Sequence, residues 1–258
     1  ITLTLDKMAA GGIYDHIAGG FHRYSTDTLW LVPHFEKMLY DNALLAVTYL
    51  ETYQVTKNTE YARIVNEILY YIEKEMTSAE GGFYSAGDAD SLTSEGHREE
   101  GYFFTWSMDE LKSVLGSDLQ IFQQLFEIHE DGDLEGRIIL HRQNSIHQAA
   151  KNLEMEPKQV ELFFKSAKEL LYKARNKRPL PFRDEKILTS WNALMISAYA
   201  RSGLILNNSH YVEVAGKAAN FLMNKLFDNG KLFRTYKDNK ALYFGYLDDY
   251  AFFIAALL

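Results

Sequence analysis

Residues 43–50 (ALLAVTYL), 193–200 (ALMISAYA) and 251–258 (AFFIAALL) read as helical segments that are apolar all the way round. A helix without a polar stripe has no side to give to water, so each of the three is expected to be buried on every face. Each octet opens with Ala and directly follows a polar triplet: Tyr40-Asp41-Asn42, Ser190-Trp191-Asn192 and Asp248-Asp249-Tyr250. Identity between the copies is weak but the pattern is the same, which marks an internal repeat.

Between these segments lie helices of the opposite kind. Val160, Phe163, Phe164, Ala167, Leu170, Leu171 and Ala174 recur at helical spacing, while Lys158, Glu161, Lys165, Lys168, Glu169 and Lys173 line the other side. Tyr61, Ile64, Val65, Ile68 and Ile72 form a second such stripe, and Tyr211, Val214, Ala215, Ala218, Leu222 and Leu226 a third. Alternation of one-sided and fully apolar helices predicts an all-α fold, a ring of helical hairpins with amphipathic helices outside and apolar helices inside. Glycine-containing turns follow at Gly11-Gly12, Gly81-Gly82 and Asn229-Gly230. Ser107-Met108-Asp109-Glu110 is a capping box, and the helix it starts, at 107–115, is expected to be the inner element of the second hairpin. The aromatic runs at 83–86 and 102–106 read as a small β-ribbon. Their connecting loop carries Asp88, Asp90, Glu95, His97, Glu99 and Glu100.

Composition narrows the partners. Asp and Glu number 35 against 27 Lys and Arg, and a net charge of −8 repels a polyanion, so nucleic acid is not expected. The absence of Cys removes disulfides, thiolate nucleophiles and thiolate metal sites, and fits a reducing, cytoplasmic setting. No apolar run approaches the ~20 residues of a membrane helix. The chain starts on Ile1 and stops within an apolar octet whose large side chains would each forgo roughly 1.5–3 kcal/mol if left in water. The expectation is a segment of a longer protein, with residues 1–258 forming part of one domain and about four hairpins present.

The polar triplets stand at the starts of the apolar helices, where unpaired N–H groups favour anions and hydroxyl-bearing ligands. In a ring, these ends would converge on a funnel. The richest cluster runs from His16 through Gly19, Gly20, His22, Arg23 and Tyr24 to Trp30, Pro33, His34, Glu36, Lys37, Tyr40 and Asp41. Pro33 suits a first helical position, which would place His34, Lys37 and Asp41 on one face. Imidazole and carboxylates serve acid–base work, and Trp and Tyr stack on sugar rings, so the composition suits carbohydrate chemistry. The competing reading makes these residues a solvated helix end with an i,i+4 ion pair, and the acidic loop a charged surface loop. Asp88-Ala89-Asp90 and Asp131-Gly132-Asp133 begin like calcium loops but fail later in the pattern, at Leu92-Thr93 and at Arg142. No metal or other cofactor is expected, and the signatures of P-loop NTPases, zincins and serine hydrolases are missing.

Several stretches resemble a known family. They are 19–27 (GGFHRYSTD), Trp30, 32–43 (VPHFEKMLYDNA), 81–86 (GGFYSA) with 88–91 (DADS), 99–101 (EEG), Lys186-Ile187-Leu188 with Ser190-Trp191-Asn192, and 247–252 (LDDYAF). Together they are similar to the YyaL / spermatogenesis-associated protein 20 family. The resemblance implies an (α/α)6-type toroid, similar to the N-acylglucosamine 2-epimerases and six-hairpin glycosidases, preceded by a thioredoxin-like domain. Here the toroid is expected to be incomplete, and the thioredoxin-like domain and the rest of the ring absent. Two departures stand out: Trp191-Asn192-Ala193 replaces Trp-Asn-Gly, and Ala86-Gly87-Asp88-Ala89-Asp90 replaces Ala-Glu-Asp-Ala-Asp, with one carboxylate fewer.

Two functions follow as expectations. In the first, the domain binds or processes a sugar or sugar-derived small molecule. An epimerase would use His22 or His34 for proton transfer with Arg23 on the enolate, and a hydrolase would set Asp41 or Glu36 against Asp88, Asp90 or Asp249. Arg23, Trp30, Lys37, Tyr40, Trp191, Asn192, Asp248 and Tyr250 would hold the substrate. In the second, the helices are a non-catalytic scaffold or a partner-binding module for the thioredoxin-like domain.

Overall fold

The computed structural model describes residues 1–258. In chain order the elements are α1 (Thr2–Ala10), β1 (Tyr24–Ser25), β2 (Pro33–His34), β3 (Lys37–Met38), α2 (Leu39–Thr56), α3 (Thr59–Glu75), β4 (Ala86–Gly87), β5 (Asp90–Leu92) and β6 (Arg98–Glu100). Then follow α4 (Met108–Leu115), α5 (Leu119–Leu125), β7 (Phe126–Glu127), β8 (His141–Arg142), α6 (Ile146–Asn152) and α7 (Pro157–Arg175). The chain ends with β9 (Arg183–Asp184), β10 (Ile187–Leu188), α8 (Thr189–Ile205), α9 (Ser209–Lys225), β11 (Phe227–Asp228), β12 (Lys231–Lys237), β13 (Lys240–Phe244) and α10 (Leu247–Leu257). Helices supply most of the ordered structure and the sheets are small, so the α/α hairpin class read from the periodicity holds. No helix is long and apolar enough to cross a membrane.

The chain divides into two compact units, residues 1–36 with 88–182 and residues 37–87 with 183–258. The second contains the repeat. Its hairpins α2–α3 and α8–α9 turn by the same device: a left-handed residue (Lys57, φ 59°; Asn207, φ 53°) followed by an Asn whose side chain accepts the N–H two residues on. That Asn caps α3 or α9. Tyr61, Ile64, Val65, Ile68 and Ile72 are the buried side of α3, as the periodicity predicts, and Tyr211, Ala215, Ala218 and Leu222 that of α9. Helix α8 packs against α2, α9 and α10.

The first unit is built around α7, against which α4 and α6 pack. Val160, Phe164, Ala167 and Leu171 of α7 join Trp106, Leu111, Phe122, Leu125, Phe126 and Ile138 in one apolar core. The C-terminal turn of α7 brings two arginines inside. Arg175 donates to Asp15 Oδ1 at 2.9 Å, with both side chains almost fully buried, and its guanidinium lies 5.0 Å over Phe103. Arg178 donates one nitrogen to the carbonyls of Tyr102, Phe103 and Thr105 at 2.7–3.1 Å and pairs with Glu110 at 3.0 Å. Glu110 is also the capping-box residue of α4, accepting from the Ser107 N–H at 2.7 Å. Burial lowers the Arg178 pKa to about 10, against the raising effect of Glu110.

Four expectations are corrected. Pro33 starts no helix: it sits in β2, Lys37 in β3, and α2 begins only at Leu39, so His34, Lys37 and Asp41 do not share a helical face. Proline's fixed φ suits extended backbone as well as a first helical turn. The ribbon is displaced, because the antiparallel pair is β5 with β6, while 86–87 pairs with 37–38 and 183–184. Segment 102–105 instead forms a tight turn with backbone bonds from 104 and 105 to Gly101. Helix α4 does not pair with α3, whose hairpin partner is α2; it packs on α7 in the first unit. Finally, α10 is not buried all round: Phe253 is covered, whereas Ile254 and Leu257 are each 57% exposed.

The buried Asp15–Arg175 pair gives a stability test. Removing one member strands the other charge, so Asp15→Ala should cost about 3–5 kcal/mol in urea unfolding, whereas replacing both partners with apolar residues should cost much less.

Candidate functional site

In the first unit, the segment that carries the densest cluster is shaped by Asp27. Its carboxylate accepts the N–H groups of Leu29 and Val32 at 2.6 Å and of Leu31 at 3.2 Å. Partial burial pushes the Asp27 carboxyl up, but the backbone donors of Val32, Leu29, Leu31 and Trp30 outweigh it and hold the pKa below the ordinary value. The tight loop forces Trp30 to φ 63°, a conformation that bulky residues rarely adopt. Trp30 is then fixed from behind, because a Cβ on Gly11 would lie 2.3 Å from its carbonyl oxygen.

His34 follows on β2. Its Nδ1–H donates to Glu100 Oε1 at 2.6 Å, and its Nε2 stands 3.7 Å from Glu36 Oε2. Arg23 holds Glu36 from the other side at 2.9 Å, and the exposed ring of Tyr24 stacks on His34 with centroids 5.1 Å apart. The imidazole is about a quarter exposed. A carboxylate on Nδ1 fixes the ring's orientation and leaves Nε2 as the nitrogen that can exchange a proton with a ligand. In the sequence Glu100 belongs to the charged loop and to the 99–101 stretch, and nothing there points from it to a histidine 66 residues away.

The other predicted residues of this unit are arranged differently. His22 is buried: its Nδ1–H donates to the Phe35 carbonyl at 2.8 Å, and its ring meets Phe35 and Phe104 edge-on. The cavity it lines with Tyr14, Asp15 and His16 measures about 20 Å³, room for one water and too small for a sugar. Asp88 accepts from Arg98 at 2.9 Å, and Asp90 lies 3.9 Å from the same guanidinium.

In the second unit the polar triplets occupy the first turns of α2, α8 and α10, as their spacing predicted. Tyr40 and Trp191 meet edge to face, with centroids 4.7 Å apart, both half-buried; Asp41 is half-buried beside Tyr40. Lys37 is buried, its Nζ 4.1 Å over the Tyr71 ring. Gly87 pairs across the strands with Lys37, and a Cβ there would meet only Tyr71 Oη at 3.9 Å, so the backbone leaves room for the carboxylate that this chain lacks.

The remaining members are committed to the helix starts. Asn192, fully buried, accepts the Phe83 N–H at 2.7 Å and donates to the carbonyls of Phe83 and Leu188, each at 2.9 Å. Asn42 makes the equivalent backward bond to the Met38 carbonyl at 3.0 Å. Asp249, also fully buried, accepts from the Ser190 and Tyr246 N–H groups at 2.9 Å and from Arg234 at 3.1 Å. Asp248 lies 3.4 Å from Arg234, and the Tyr250 hydroxyl accepts the Leu232 N–H at 2.9 Å. No motif points to an open groove of about 620 Å³ between α3 and α9, lined by Tyr70, Glu73, Lys74 and His210, with His210 Nε2 2.8 Å from Glu73.

Gly101 tests whether the Glu100–His34 pair depends on its backbone. Its φ is +76°, and a Cβ would come within 2.5 Å of the Phe35 ring. Gly101→Ala should destabilise the fold by about 2–4 kcal/mol, from left-handed strain and overpacking together, and should move the His34 imidazole resonances in NMR spectra.

No family model matches the sequence. Among curated proteins the chain is 36% identical over 286 residues to "Spermatogenesis-associated protein 20" of Homo sapiens, covering 99% of this chain and 36% of that protein. It is 35% identical over 290 residues to "Uncharacterized protein B0495.5" of Caenorhabditis elegans, covering 99% and 39%. The chain thus spans a little over a third of the length of these relatives. Similar solved structures include a D-mannose isomerase (13% identity, TM-score 0.30, 93% of this chain and 56% of that one). A family 76 glycoside hydrolase from a bovine Bacteroides thetaiotaomicron strain matches at 11% identity and TM-score 0.33, over 99% and 50%. A cellobiose 2-epimerase from Bacillus thermoamylovorans matches at 11% and 0.29, over 92% and 74%. Scores at this level leave the chemistry to be argued from the chain's own residues. The motifs at 19–43, 81–91 and 186–192 and the match along 99% of the chain agree: over the segment it spans, this chain is similar to the spermatogenesis-associated protein 20 proteins.

Proposed function

We propose that the chain is part of a carbohydrate-binding or carbohydrate-processing α/α toroid, and that its chemistry is proton transfer at a sugar by His34. The observation that carries this reading is the Glu100–His34 pair. It is a partly exposed imidazole oriented through Nδ1, with Nε2 directed towards Glu36, and Tyr24 stacked on it. An imidazole so placed can take a proton from a carbon next to a carbonyl and deliver it to the adjacent carbon of the enediolate, the step that interconverts an aldose and a ketose. Arg23 would stabilise the enolate oxygen, at the expense of its bond to Glu36.

The same geometry weighs against hydrolysis by two carboxylates. A general acid must present its proton to the leaving oxygen, yet Glu36 is bound to Arg23, Asp88 to Arg98, and Asp249 is fully buried on backbone N–H groups.

A second reading has its own support. Asn192, Asp249 and Tyr250 spend their hydrogen bonds on backbone, as members of a scaffold would. On that reading the helices are non-catalytic and serve to carry or contact a thioredoxin-like domain, with residue burial but no sugar affinity.

Thermal-shift screening against monosaccharides and disaccharides separates the two. A sugar at 100 times its Kd adds about 2.7 kcal/mol, which raises the Tm by roughly 5–10 °C for a chain of this size. A bound sugar should lose most of this shift with Arg23→Ala, beside His34 in the same unit. His34→Ala should slow exchange of solvent deuterium into the sugar by about 10²–10⁴-fold. A panel in which no sugar moves the Tm favours the scaffold, and a bound sugar whose exchange is indifferent to His34→Ala removes His34 from the chemistry.

A further inference from the structure

A second imidazole–carboxylate cluster in the first unit lies away from His34. Strands β7 and β8 pair Glu127 with His141, and the segment between them, residues 128–140, returns His129 and Asp133 to the same place. His129 Nδ1 is 2.7 Å from Asp133 Oδ1, and its Nε2 is 3.2 Å from Glu127 Oε1. His141 Nδ1 is 3.0 Å from the Ile139 carbonyl oxygen, and its Nε2 is 3.3 Å from Glu127 Oε2. The ring centroids stand 5.9 Å apart. These donors do not surround a common centre suited to a metal ion.

Each of the four ring nitrogens therefore faces an oxygen that, in a carbonyl or an ionised carboxylate, can only accept. A neutral imidazole carries one N–H, so two neutral rings bring two protons to four contacts and leave two lone pairs facing oxygen lone pairs. The network is complete only when both rings are protonated. We propose that residues 127–141 form a proton-controlled latch, closed when His129 and His141 are imidazolium and loosened when they lose those protons.

The charged groups at the latch are Glu127 and His141 on the strands and His129 and Asp133 on the connecting segment. Arg142, next along β8, lies 4.7 Å over the Phe164 ring. The electrostatics run in the same direction as the geometry. Asp133, the largest influence, raises the His129 pKa above its ordinary 6.5, outweighing burial, and Glu127 adds to it. Hydrogen bonds from His129 and then His141 lower the Glu127 pKa below its ordinary 4.5. A raised histidine stabilises fully below pH 6.5 and stops doing so as pH rises through its folded value. A lowered glutamate stabilises above pH 4.5 and stops as pH falls through its folded value. The latch is thus tightest between these limits and opens on the alkaline side. His129 and Glu127 are about half exposed, so salt weakens it.

Opening would be felt at Ile139. Asp133 Oδ2 accepts the Ile139 N–H at 2.8 Å, and Ile139 packs with Phe35 and Ala89 in a small core beside His34. Any effect on catalysis rests on the proton-transfer reading above; the latch itself does not.

NMR titration of the imidazole nitrogens, combined with hydrogen exchange at the Ile139 amide, tests the latch without any sugar present. The His129 ring should titrate above the ordinary histidine value. Protection at Ile139, corrected for the intrinsic pH dependence of exchange, should fall several-fold between pH 6 and pH 8. Glu127→Gln should abolish most of that change, and 0.5 M salt should reduce it. A His129 ring that titrates at the ordinary value, or protection that is the same at both pH values, overturns the proposal, as does a transition that a chelator removes. If Glu127→Gln fails to fold, the titration and exchange of the unmodified protein decide alone.

Discussion

A helix with no polar face must still begin somewhere, and its first turn leaves backbone N–H groups without helical partners. In α2, α8 and α10 the residue before the helix is Met38, Leu188 or Tyr246, none of them a good side-chain cap. The starts of α2 and α8 are therefore held from outside, whereas α10 caps itself. The Leu39 N–H donates to the Ser85 carbonyl, the Ser190 N–H to Asp249, and the Tyr246 N–H to Asp249. Asn42 and Asn192 reach back one turn to the carbonyls of Met38 and Leu188. Much of the second unit hangs on these few bonds, because they join each helix start to a strand or to the next helix start.

This requirement divides the labour within the polar triplets. Their last members, Asn42 and Asn192, together with Asp249, satisfy backbone inside the protein. Tyr40, Asp41 and Trp191 remain half-buried and are the ones a ligand can meet. Residues with the same composition, at the same helical position, thus end in different roles according to which way the first turn faces them.

The helices were legible because hydrophobic periodicity depends on the chain alone: the stripes of α3, α7 and α9 and the capping box of α4 need no knowledge of the tertiary structure. The strands were not, since β3, β4 and β9 are two-residue segments whose pairing is set by contacts between residues distant in sequence, Lys37 with Gly87 and Ala86 with Asp184. Pro33 misled for the same reason, its dihedral being shared by a helix start and an extended strand. In the candidate site, His34 and Glu36 stood out by type and proximity in sequence. Glu100 did not, because its role arises only when β6 brings it to β2. The exposed side of α10 shows a further limit, since periodicity reports what a helix could bury and not what is present to bury it.

The division of the chain bears on the order in which it can fold. Each unit is discontinuous: residues 37–87 interrupt the first, and 88–182 interrupt the second. As the chain leaves the ribosome, α2 and α3 are complete long before α8 exists to cover them. The Arg175–Asp15 bond likewise joins residues 160 positions apart. Neither unit can finish before its distant half is made, and contacts closed over such separations form slowly. Nascent chains of this protein thus carry the apolar α2–α3 segment uncovered for much of synthesis, and that interval is when protection from aggregation matters most.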